Sequence, residues 1–131
     1  TLHDMAILYV YIAIAADASH ETDKALEILS EGIRTINARE PNERFYQSRL
    51  VTVQLWLLEK SEKYEDALRI AKLAVEKITP PPTEGDDRTN MYLEDLYFQY
   101  SSLLLKHGED ELALTLRQGI ANRCAHAMLN Y

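Results

Sequence analysis

The chain has 131 residues, 47% of them hydrophobic, with four glycines and four prolines, the composition of an ordered globular chain rather than a disordered one. That length allows one compact unit, residues 1–131, able to bury about two-thirds of its unfolded surface. The net charge of −7 argues against a nucleic-acid backbone as ligand, since phosphate binding needs a concentrated basic face, and favours neutral or basic partners.

The first predicted helix runs from about Leu2 to Ala18 and contains the apolar run Met5–Ala16, MAILYVYIAIAA. Twelve residues flanked by Asp4 and Asp17 fall short of the ~20 that span a bilayer, and no basic segment precedes them as in a signal peptide. No membrane insertion is expected. A turn at Ser19–Glu21 leads to a second helix, Thr22 to Ala38, with Ser19 or Thr22 as its N-cap. Glu40-Pro41-Asn42 breaks that helix, because proline disfavours a helical residue before it. A third helix follows from about Glu43 to Lys60, then a turn at Ser61–Lys63 and a fourth helix over Tyr64–Ile78. Thr79-Pro80-Pro81-Pro82 ends it, and Thr83–Arg88 reads as an exposed acidic loop. The fifth helix covers about Thr89–Lys106, and His107-Gly108 turns the chain into a sixth, from about Glu109 to Leu129.

The helices repeat. In the fourth, the apolar slots are Ala67, Leu68, Ile70, Ala71, Ala74, Val75 and Ile78, one face at helical period. Moving back 42 residues, the same slots hold Ala25, Leu26, Ile28, Leu29, Gly32, Ile33 and Ile36; moving forward 46, they hold Ala113, Leu114, Leu116, Arg117, Ile120, Ala121 and Cys124. Only Arg117 breaks the apolar pattern. The odd-numbered helices share the register: Leu8, Leu50 and Leu96 correspond, then Tyr9, Val51 and Tyr97, then Ile12, Gln54 and Tyr100, then Ala15, Leu57 and Leu103, then Ala16, Leu58 and Leu104. These slots form one continuous core face with Gln54 as its polar intruder. A helix hairpin cannot bury such a face alone, so units of about 1–40, 41–82 and 83–131 are expected to stack. The lone Cys124 sits in an apolar slot of the repeat; it rules out an intrachain disulfide and fits a reducing, intracellular setting, taken as cytoplasmic.

These residues resemble the tetratricopeptide repeat family over nearly the whole chain. The family's large residue early in its first helix matches Tyr9, Val51 and Tyr97, and the leucine-like position after it matches Ile12, Gln54 and Tyr100. Its small residue matches Ala13 and Ser101, with Leu55 in the middle unit. The alanine of its second helix matches Ala25, Ala67 and Ala113. Tyr64-Glu65-Asp66-Ala67 is the closest fit, with Pro80 near the expected terminal proline. The later aromatic of the family is replaced by Ala16, Leu58 and Leu104, and the spacing of 42 and 46 exceeds the family's usual 34. The units therefore look like the long-helix kind of kinesin-light-chain-like proteins, with other alpha-solenoid families left open. The resemblance implies an all-α fold of six helices, three antiparallel hairpins stacked as a right-handed solenoid.

No nucleophile setting, glycine-rich phosphate loop or metal cluster at ligand spacing is present, so no catalytic residue, cofactor or metal is expected and the chain does not read as an enzyme. His20 with Glu21 and Asp23, and His107 with Glu109 and Asp110, read as solvated turn residues. Cys124 and His126 lie two apart on a helix and do not face each other.

The resemblance places a partner-binding groove on the first helix of each pair. In the register above, the groove-facing slots are Ile7, Val10, Ile14 and Asp17, then Arg49, Thr52, Trp56 and Glu59, then Asp95, Phe98, Ser102 and Leu105. Trp56 beside Phe98 is the sharpest candidate, as an anchor for an apolar partner side chain; a shift of one residue would turn it into the core instead. The family's clamp for a C-terminal carboxylate needs basic and amide residues where this chain has Val10 and Ile14. The expected function is therefore a protein-interaction module taking a partner peptide or helix by another mechanism. The alternative is a structural segment of a larger helical scaffold or homo-oligomer, assembled through the apolar first helix and the Ile120, Ala121, Cys124, Met128 and Leu129 face of the last, with the solenoid continuing beyond both ends.

Overall fold

The computed structural model describes the backbone of residues 1–78 and 87–129, and the side chains of residues 1–77 and 93–121. Within them the chain is all-helical, without strands: α1 (Leu2–Ala18), α2 (Thr22–Arg39), α3 (Phe45–Lys60), α4 (Tyr64–Ile78), α5 (Asp87–Lys106) and α6 (Asp110–Leu129). The bounds match the sequence pattern to within about two residues. The proline run Thr79–Pro82 and most of the acidic loop after it lie outside the described residues, while Asp87 and Arg88 already belong to α5 rather than to that loop.

Three of the connections are the same turn made three times. His20, Glu62 and Gly108 have φ of 63°, 59° and 78°, the left-handed conformation that closes a helix C-terminus. In each, the next residue's N–H reaches back five residues: Glu21 to Ala16, Lys63 to Leu58 and Glu109 to Leu104, at 2.9, 2.8 and 2.9 Å. The left-handed residue itself donates to Asp17, Glu59 or Leu105. These bonds satisfy carbonyls that a helix end otherwise leaves orphaned. The chain re-enters a helix at once, and four residues on stands the repeated alanine, Ala25, Ala67 or Ala113, each fully buried.

The expected cap of α2 differs. Its N-cap is Glu21, through the backbone alone, because Ser19 is still closing α1 and Thr22 turns its hydroxyl to Asp17, donating at 2.9 Å. α3 starts later than expected for a related reason. Glu43 stays outside the helix, and its carboxylate accepts from the N–H groups of Tyr46 (2.8 Å) and Gln47 (3.2 Å), complementing the positive end of the helix.

Each helix packs on the next in sequence, and α3 additionally touches both α1 and α5. The buried apolar residues form two clusters. One joins α1, α2 and α3 around Leu29, Ile36, Leu50 and Leu57; the other joins α3, α4, α5 and α6 around Leu55, Leu93, Leu96 and Leu103. Leu26 and Ile33 of α2 pack against both. Gly32 lets α1 and α3 approach α2: a Cβ there would lie 2.8 Å from Tyr9 Cγ and 3.1 Å from Leu50 Cδ1. The polar intruder Gln54 is buried and satisfied, its amide donating to Ser30 Oγ at 2.9 Å.

One expected core face is corrected. The pattern puts Leu8, Ile12 and Ala15 in the core, yet all three are exposed, Leu8 at 59%. Their counterparts Leu50 and Leu57 are covered from α2, and Leu96 and Leu103 sit among the α4 alanines. No described helix covers α1 in this way.

Candidate functional site

α1, α3 and α5 lie side by side with α3 in the middle, and between them runs a groove of about 550 Å³ lined by Ile14, Thr52, Val53, Trp56, Asp95, Phe98 and Gln99. Its walls follow from helical register. Thr52, Val53 and Trp56 share one face of α3, and Asp95, Phe98 and Gln99 the corresponding face of α5, since residues three and four apart stand one above another. Trp56 and Phe98 are 48% and 56% exposed. Each keeps a cation against its ring: Lys60 Nζ lies 5.2 Å from the Trp56 centroid, and the Arg117 guanidinium 4.9 Å from that of Phe98.

Arg117, the residue that breaks the apolar pattern of α6, is held for this contact. Its Nε donates to Ser101 Oγ at 3.0 Å and an Nη to Ser102 Oγ at 3.4 Å. Both serines donate in turn to the Phe98 carbonyl. A charge within an otherwise apolar stripe is thereby tied to the element that presents Phe98.

The groove's polar members are few. Asp95 is exposed and makes no ion pair or hydrogen bond among the described residues. Gln99 donates from Nε2 to the Thr52 carbonyl at 3.4 Å, while its Oε1 is buried with no partner among the described residues. An apolar channel with one free carboxylate suits an apolar side chain accompanied by a basic one.

The expected groove residues separate into three groups. Ile14, Thr52, Trp56, Asp95 and Phe98 come together on the lining. Ile7, Val10, Arg49, Glu59 and Ser102 are half-buried and stand off it. Val10 packs into the α1–α2–α3 cluster, the Arg49 carbonyl accepts from Thr52 Oγ1 at 2.7 Å, and Glu59 pairs with Lys106 at 3.8 Å. Asp17 belongs to the core edge rather than the groove: it is only 9% exposed, accepting from Lys60 Nζ at 2.6 Å and from Thr22. The Lys60 ammonium, and then the Thr22 hydroxyl, hold its carboxyl below the ordinary aspartate range. Leu105 is exposed and also off the lining.

Val53 and Gln99 are lining residues that the stripes omit. They occupy equivalent slots, one past Thr52 and Phe98, and face the neighbouring odd helix rather than solvent. The 46-residue offset between the second and third units would have found them as a pair. His20 is a left-handed turn residue, and His107 Nδ1 lies 2.9 Å from the Leu103 carbonyl. Among the described residues no three His, Cys, Asp or Glu side chains gather where a metal ion could be held. Cys124 and His126 lie outside the described side chains. No described helix is long and apolar enough to cross a membrane.

Compared with protein-family models, with curated proteins and with solved structures, the chain matches none.

Proposed function

We propose that the chain is a protein-interaction module of tetratricopeptide-like architecture, three antiparallel hairpins stacked as a right-handed solenoid, that takes a partner peptide or helix in the groove between α1, α3 and α5. The observation that carries the reading is the pair Trp56 and Phe98. Two large aromatics stand half-exposed on the lining of one groove, each held by a cation, on helices whose other faces supply buried core residues. Such aromatics supply binding energy at small entropic cost, and packing does not require their exposure. The triple turn and the thrice-buried alanine support the stacked-hairpin architecture. Free Asp95 favours a partner that sets a lysine or arginine beside its apolar anchor. Binding needs no cofactor or catalytic group, and the lone Cys124 fits work in the cytoplasm.

Trp56 is the chain's one tryptophan, so its fluorescence reports directly on the groove. A random twelve-residue peptide library panned against the chain is expected to enrich apolar residues flanked by lysine or arginine, and titration of enriched peptides should shift Trp56 emission. Phe98→Ala should weaken those peptides by about tenfold or more, and Trp56→Ala likewise when followed by calorimetry. As exposed residues, both should change stability by no more than about 0.5 kcal/mol. Unchanged affinity in both variants would sink the proposal, as would a large fall in stability that marks them as core residues.

A further inference from the structure

Each groove aromatic carries a charge whose own anchor lies outside the groove, and at Trp56 that anchor belongs to another helix. Lys60 stands four residues after Trp56 on α3, and helical side chains lean towards the N-terminus, so its stem runs along the indole. Its ammonium is 5.2 Å from the ring centroid and 2.6 Å from Asp17 Oδ2. Asp17 is itself fixed. It is nearly buried near the end of α1, and its other oxygen accepts from Thr22 Oγ1 at 2.9 Å. A carboxylate held at both oxygens pins the lysine, and the lysine covers one face of the ring.

Trp56 has no other directional tie. Among the described residues its indole makes no hydrogen bond, and a half-exposed ring on a helix surface has more than one staggered rotamer open to it. Lys106 stands in the same slot 46 residues further on and shows what is particular to Lys60. Four residues before it comes Ser102 rather than an aromatic. Its ammonium lies 3.8 Å from Glu59 and 4.8 Å from the Tyr64 ring, which is not on the lining. Both lysines meet an acid of the preceding odd-numbered helix; of the two, Lys60 alone also covers a ring of the groove.

We propose that Lys60 is a positioning residue of the groove: tethered by Asp17, it fixes the rotamer of Trp56 and leaves one face of the indole for the partner. This rests on the groove reading above, and it makes binding strength depend on a carboxylate that does not touch the partner. Only chains with Trp56 in the held rotamer are ready to bind, so freeing the ring lowers apparent affinity by as much as that fraction falls. An exposed cation–π contact biases such a choice by about two- to fivefold.

Proton NMR of the free chain, with calorimetric titration of peptides enriched on the groove, tests this below the melting range of every variant. A ring shields what lies over its face, so the Lys60 ε-methylene protons should move downfield in Trp56→Ala and equally in Asp17→Ala. Asp17→Ala and Lys60→Met should each weaken the peptides by about two- to fivefold. Lys60→Arg keeps a cation over the ring and should bind about as wild type. Asp23→Ala removes the same charge from an ion pair with Lys63 and should change neither reading. If Asp17→Ala loses helicity, Asp17→Asn takes its place, with shifts in the same direction. Lys60 protons that stay put when Asp17 is replaced overturn the proposal without any peptide. Peptides weakened by Phe98→Ala but unaffected by Asp17→Ala or by Lys60→Met overturn it and spare the groove. Peptides indifferent to Phe98→Ala overturn the groove reading itself, and the role of Lys60 with it.

Discussion

At the residue scale, the shared turn shows how a backbone requirement persists when the side chain changes. The same left-handed position is filled by His20, Glu62 and Gly108. Only glycine adopts that conformation without a Cβ clash, and other residues lose about 1–2 kcal/mol there, against which glycine loses more chain entropy on folding, about 0.5–1 kcal/mol. Glu62→Gly is therefore expected to stabilise the fold by about 0.5–1 kcal/mol, and Gly108→Ala to destabilise it by a similar amount. Urea denaturation checks both, as opposite shifts in midpoint at constant slope. The direction for Glu62 is informative because contact counting alone would predict no change: its turn contributes geometry, not packing.

At the element scale, helices distant in sequence are tied to one another by a few polar bridges at the edge of the apolar core. The Asp17 carboxyl has its pKa lowered by Lys60 and Thr22, so the stabilisation it provides is complete above the ordinary aspartate value and is lost as pH falls through the lowered one, below about 4. Asp17→Asn should cost about 0.5–1.5 kcal/mol near neutral pH, and its gap to wild type should shrink as pH falls below the ordinary aspartate value. Thermal melts on both sides of that value check this, and a constant gap across the range would assign the effect to packing. This bridge was hidden from sequence because its partner stands 43 residues away, and helical period alone placed Asp17 on the groove stripe. Helix limits and the buried alanines were legible, since both depend on neighbours within a turn or two. The α1 core face was not: α1 is apolar nearly all round, so period selects no face, and only tertiary contact shows that Leu8 and Ile12 stay uncovered.

At the scale of the molecule, α3 decides whether the chain behaves as one unit. It supplies Leu50 and Leu57 to one cluster and Leu55 and Leu58 to the other, and it forms the middle wall of the groove with Trp56. A loss in either cluster must therefore pass through the helix that carries the reporter. Leu50→Ala and Leu103→Ala remove fully buried side chains from different clusters, and each should cost about 2–5 kcal/mol. For a chain of this length that lowers the melting midpoint by roughly 6–20 °C. Shared cooperativity through α3 requires more than the loss itself: in both variants the Trp56 fluorescence transition should coincide with the far-ultraviolet dichroism transition. Should Leu103→Ala melt in two steps, with Trp56 following only one of them, the clusters would be separate folding units, and a partner bound in the groove would stabilise each to a different extent. A single transition means instead that occupancy of the groove, which draws on α1, α3 and α5 together, stabilises the whole chain at once.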